Sequence, residues 1–147
     1  MIQEVNLNLA KLLKIKGYSW ECEKFYQKYK HDKNFYLSTG IEYGSDINCM
    51  WDWNLNGGKS GTLLKTIPYP NDSDSIYYSA PIIAEVIMWL YEKHNIWICV
   101  SNVPFENHFT FEYSINNKEK CLHQYVTFES PEEAYESAIE YCLEQII

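Results

Sequence analysis

The sequence predicts an α+β fold: an antiparallel sheet packed with a central and a C-terminal helix, preceded by an N-terminal helix and a β-hairpin. Three observations carry this. Residues 81–94, PIIAEVIMWLYEKH, hold Glu85 as the one charge between Ile82 and Tyr91. A helix so apolar belongs between layers or at a subunit interface rather than on a surface with one face wet. Residues 96–128 alternate between apolar and polar in three stretches, the period of half-buried strands. SPEE at 130–133 is a helix-start signal ahead of a second apolar stripe. The order over 81–147 is therefore α-β-β-β-α, and 147 residues suffice for one domain with one core.

In chain order, Leu7 to Lys16 reads as a short amphipathic helix with Leu9, Leu12 and Leu13 on one stripe, closed by Gly17. Residues 18–36 mix aromatics with lysines. This is either a patch that stacks on bases or, the favoured reading because Glu21, Glu23 and Asp32 dilute the charge, a packed connection with lysines at its rim. INCMWDWNL (47–55) alternates, AsnGly (56–57) supplies a turn, and TLLKTI (62–67) is β-prone, so a hairpin is expected over 47–67. GlyLysSer at 58–60 is not a phosphate loop, because position 53 is Trp where that motif needs Gly. Residues 68–80 form a Pro/Asn/Asp/Ser-rich loop, and Pro81 opens the central helix.

After that helix, Ile96, Ile98 and Val100 face one way in a strand, and a turn is expected near Asn102–Pro104. In the next run Phe105, Asn107, Phe109, Phe111, Tyr113 and Ile115 share the core face. Pairing Ile115 with Leu122 then brings Leu122, Val126 and Phe128 to the core. In the last helix Ser130 is the N-cap, Glu133 closes a capping box, and Tyr135, Ala138, Ile139, Cys142 and Ile146 form the buried stripe.

Composition narrows the function classes. Aromatics at 16% exclude disorder, and the net charge of −8 contains no Arg, which argues against direct nucleic-acid recognition. Five scattered cysteines without a CxxC pair fit reduced, mostly buried thiols rather than a disulfide framework or zinc site. With no leader and no run of 18 apolar residues, the expectation is a cytoplasmic protein without a membrane anchor.

AKLLKIKGY (10–18), SAPIIAEVIMWLYEKHNI (79–96) and FESPEEAYESAIEYCLEQII (128–147) resemble motifs of small uncharacterised proteins from gut-bacterial phages and mobile elements. The similar pieces cover about a third of the chain. The resemblance implies a phage-related origin and imports no active site. The α-β-β-β-α order also matches double-stranded-RNA-binding domains, but the start of the last helix is acidic where those domains need a basic one.

Three sets of residues are candidates for chemistry. Glu106, His108, Glu112, His123 and Glu129 can converge on the polar face of the long hairpin, with His108, Glu112 and His123 as metal-ligand candidates. Trp51, Asp52, Trp53 and Lys59 with Tyr69, Tyr77 and Tyr78 can build an aromatic pocket for a nucleotide-like small molecule. Glu132, Glu136, Glu140 and Glu144 form an acidic line that can dock a basic partner. With no nucleophile–base pair and no cofactor motif visible, the leading expectation is a non-enzymatic module that binds a protein or another copy of itself. A nucleotide sponge is the alternative, and an enzyme on the His/Glu face is third.

Overall fold

The computed structural model describes residues 3–28, 31–39, 54 and 76–147. These divide into two compact units. Unit 1 joins Met1–Val5 to Ile82–Ile147, and unit 2 is the intervening Asn6–Pro81.

Unit 2 begins with helix α1 (Leu7–Ile15), which the Asn6 carboxamide caps by accepting the Leu9 N–H at 3.0 Å. Leu9, Ala10 and Leu13 are buried. Gly17 at φ 82° ends the helix, and Tyr18 N–H returns to the Leu13 carbonyl. Only glycine takes that backbone conformation without a steric penalty. Three strands follow, β1 (Lys24–Lys28), β2 (Tyr36–Thr39) and β3 (Ile76–Ser79), in the antiparallel order β2-β1-β3. The lysine-aromatic stretch is thus no mere connection, and the loop over 68–80 ends in a strand. Alternation explains why. Phe25 and Gln27 point to a buried face shared with Ser38, Tyr77 and Ser79, while Lys24, Tyr26 and Lys28 point to the other. Gln27 is tolerated inside because its Nε2 donates to Ser38 Oγ at 2.7 Å. Asn54 ties the unit together, donating to the Tyr18 carbonyl and accepting the Ser79 N–H, both at 2.9 Å. The hairpin expected over 47–67 otherwise lies outside the described residues.

In unit 1 the N-terminal segment bridges Glu4 to Ile82, and Ile83 N–H donates to the Gln3 carbonyl. Helix α2 (Ile83–His94) starts two residues beyond Pro81. Its single early charge is explained locally: Glu85 Oε2 accepts the Ile82 N–H at 3.0 Å, satisfying one of the helix's orphan donors. Asn95 at φ 56° closes the helix in the left-handed region. Ile83, Val86, Ile87, Trp89 and Leu90 are buried, but α2 is not covered on every side: Met88 is 41% and Tyr91 48% exposed, beside Glu92 and Lys93. One stripe is wet because Met88, Tyr91 and Glu92 fall together at helical spacing.

Strands β4 (Trp97–Phe105), β5 (His108–Asn116) and β6 (Cys121–Phe128) form a meander in the order β4-β5-β6. The turn sits at Glu106–Asn107 rather than near Asn102–Pro104, so Phe105 belongs to β4, opposite His108 and on the outer face. Neither Phe105 nor Asn107 is a core position. Glu106 takes φ 51° there, the sign a tight two-residue hairpin demands of its first central residue. Ile115 does pair with Leu122. Further along, the register slips by two, from Tyr113↔Gln124 to Phe111↔Phe128. That irregularity turns Val126 outward, 61% exposed, whereas Phe128 stays on the inner face against Tyr113.

Helix α3 (Pro131–Tyr141) packs across β4 and β5 and against α2. Ser130 Oγ accepts the Glu133 N–H at 3.2 Å, and the Glu133 carboxylate reaches back to Glu129 N–H instead of Ser130. A π turn, Cys142–Ile146, ends the chain. Its wider winding breaks the 3.6-residue period, so Ile146 is 37% exposed and Leu143 is buried instead, while Ala134, one turn before Ala138, joins the buried stripe at ordinary helical spacing. Burial pushes the Cys142 thiol up to about 12. Cys22 and Cys142 are buried and Cys99 and Cys121 exposed, while Cys49 lies outside the described residues. Among the described residues no helix is long and apolar enough to cross a membrane.

Candidate interaction surface

The inner face of the β4–β5 hairpin runs on toward the Glu106–Asn107 turn past the start of α3, leaving part of that face open. There Val100, Asn102, Phe109 and Phe111 from the sheet and Pro131 and Tyr135 from the helix line a groove of about 350 Å³. The lining is apolar apart from the Asn102 carboxamide and the Tyr135 hydroxyl, and the volume suits one or two large side chains. Phe109 is its exposed wall at 53%, although alternation places it on the core side. Tyr135 is half-buried at the groove, and burial raises its hydroxyl pKa. Ser130 and Pro131 set where α3 begins and therefore where the groove's helical wall stands.

Charge surrounds this groove on one side. Glu132 and Glu136 flank Tyr135 on the helix, and Glu140 and Glu144 continue the line along the exposed side. Residues 129–147 carry six glutamates and no lysine, and unit 1 as a whole has twelve acidic residues against three lysines. An apolar slot beside such a face complements a basic segment bearing an apolar anchor.

A second apolar surface lies on the same unit. Tyr91 and Trp97 meet edge to face at 5.4 Å, Met88 sits one helical turn before Tyr91, and Trp97 is 42% exposed. Trp, Tyr and Met are residue types enriched at protein interfaces.

The histidine–carboxylate set does not converge. His123 Nε2 lies 2.9 Å from Glu112 Oε2 across β5 and β6, while His108 at the turn end of β5 stands 3.7 Å from Glu129. Glu106 occupies the turn itself. These are two separate exposed pairs, and among the described residues no three His, Cys, Asp or Glu side chains gather as a metal site. The strand alternation that put them on one face says nothing of distance along it. Of the aromatic pocket set, Trp51, Asp52, Trp53, Lys59 and Tyr69 lie outside the described residues. Tyr77 is buried against Phe25, with ring centroids 5.9 Å apart, and Tyr78 is half-buried against Phe35.

The groove was not legible from the sequence, because Phe109 and Phe111 read as ordinary core residues until the length of the helical cover was known. Comparisons with protein-family models, curated proteins and solved structures give no match.

Proposed function

We propose that the protein is a non-enzymatic binding module whose unit 1 receives a basic segment of a partner protein. The observation that supports this best is the open slot walled by Phe109, Phe111 and Tyr135 beside the Glu132–Glu136 edge of α3. A leucine- or phenylalanine-sized side chain enters the slot, and lysines or arginines on either side of it meet the acidic helix. The resemblance to phage and mobile-element proteins is consistent with a host protein as that partner. Fluorescence polarisation with a labelled peptide of the pattern Lys-Lys-Leu-x-x-Leu-Lys tests the reading. Binding is expected to weaken at least tenfold in Phe109→Ala, which removes an exposed side chain, and to fall with salt. Equal affinity for wild type, Phe109→Ala and Glu132→Lys/Glu136→Lys proteins would retire it.

A second reading, self-association, is favoured by the Met88–Tyr91–Trp97 patch, since one such patch on each of two copies makes a two-fold interface. Light scattering distinguishes the two. A dimer that Trp97→Ala converts to monomer supports self-association through this patch, and a strict monomer at high concentration excludes it.

A further inference from the structure

Three lysines of unit 2, Lys11, Lys14 and Lys28, lie over aromatic rings. Lys11 Nζ, from α1, lies 5.2 Å from the centroid of Phe35, and Lys28 Nζ, from β1, lies 5.8 Å from the same ring. Phe35 packs on Tyr78 at 5.6 Å, and Lys14 Nζ sits 5.0 Å over that second ring while donating to the Tyr77 carbonyl at 3.1 Å. Two helix positions a turn apart, a strand lysine and two tilted rings in contact thus bring three ammonium groups around one ring pair. The Lys11 and Lys28 charges are separated by no more than their two ring distances laid end to end, close to the length of about 8–10 Å over which physiological salt screens. Among the described residues neither has a carboxylate within ion-pair distance. A ring face offsets only part of the repulsion among gathered cations.

We infer that this cluster is a binding site for a nucleotide: a phosphate chain held by Lys11, Lys14 and Lys28, with its base on the neighbouring tyrosine face. Lysine binds phosphate as a point charge and needs no guanidinium fork, so the absence of Arg from the chain is no obstacle. Tyr26 stands in register with Tyr78 on the same face of the sheet, and both rings are half-buried, with part of their surface facing solvent. That face suits a planar base. All of these residues belong to unit 2, so the inference is independent of the partner-binding reading of unit 1.

Calorimetric titration of the full chain with ATP at low ionic strength tests the site. ATP is expected to bind, tripolyphosphate to compete with it, and adenosine alone to bind far more weakly. Lys11→Gln/Lys28→Gln should weaken ATP by about tenfold or more and flatten its salt dependence, while Lys11→Arg/Lys28→Arg keeps most of the affinity. Melting curves establish that each variant is folded. If the double glutamine variant is not, Lys28→Gln alone should shift affinity in the same direction by a smaller factor. No heat at millimolar ATP, wild-type affinity in the glutamine variants, or adenosine binding as well as ATP each overturns the inference. A single-stranded oligonucleotide that binds where ATP does not would overturn it in favour of a polymer.

Discussion

The two sheets of this molecule solve the same packing problem at different scales. In unit 1, strands of nine, nine and eight residues present one face to α3 and α2 and the other to solvent. In unit 2 the strands are five, four and four residues long, and the buried face includes Gln27, Ser38 and Ser79 beside Phe25 and Tyr77. The longer sheet has an apolar interior to spare, and part of it surfaces as a groove and an aromatic patch. The shorter sheet relies on side-chain hydrogen bonds and on lysines laid over rings. Charge follows the same division. Unit 1 concentrates carboxylates along one helix, whereas unit 2 holds nine lysines against eight acidic residues. The difference teaches that the two regions offer opposite chemistry to a ligand: an acidic, apolar slot in one and a cationic, aromatic cluster in the other.

The largest effects test the cores. Leu90→Ala in α2, fully buried, should cost about 2–5 kcal/mol in urea unfolding, and Phe25→Ala in β1 about 3–5 kcal/mol. Hydrogen exchange should accelerate in β5 for the first and in β1 for the second. An unchanged β5 in Leu90→Ala would remove α2 from the core of unit 1.

Next in size is the alkaline limit of unit 1. The Cys142 thiol, ordinarily ionising near 9.0, is pushed up to about 12 by burial in the folded chain, so the unfolded chain loses its proton first as pH rises. Stability from this group is complete below pH 9 and is lost progressively toward pH 12. Cys142→Ala should remove that slope while lowering stability at neutral pH through the cavity it leaves. A wild-type curve parallel to that of Cys142→Ala over this range would contradict the burial of the thiol.

Backbone and helix-end effects are smaller. Glu106→Gly should stabilise unit 1 by about 1 kcal/mol, because a left-handed non-glycine residue costs about that much. Ser130→Ala should destabilise it by about 1 kcal/mol through the lost bond to Glu133 N–H. Glu136→Lys turns the like-charge contacts with Glu132, Glu133 and Glu140 on α3 into opposite-charge ones, worth a few tenths of a kcal/mol each. The smallest effect is expected from Glu112→Gln, under about 1 kcal/mol, since its pair with His123 is at the surface. A larger loss there, measured by urea unfolding, would mark the pair as part of something the fold alone does not need.

Periodicity made the helices legible. The Leu7–Lys16 stripe, the apolar run of α2 and the Ser130–Pro131 start of α3 each lie within one stretch of chain and answer to local rules. The Ile115–Leu122 pairing was legible for the same reason, because a short loop leaves few registers that keep both residues on the core face. The two-residue slip between β5 and β6 was not, and it moved Val126 out; nor was the Glu106 turn, which moved Phe105 to the other face. Alternation counts residues and is blind to a bulge that changes the count. Likewise His108 and His123 share a face in the sequence pattern but sit with different carboxylates, and the lysines of α1 and β1 meet over Phe35 only once the chain has folded back. What the sequence determined by itself is therefore the identity of the helices and the class of the fold, which depend on neighbours within a few turns. The tertiary structure alone decided which apolar residues stay uncovered and which distant charges meet, because both depend on where one element ends over another.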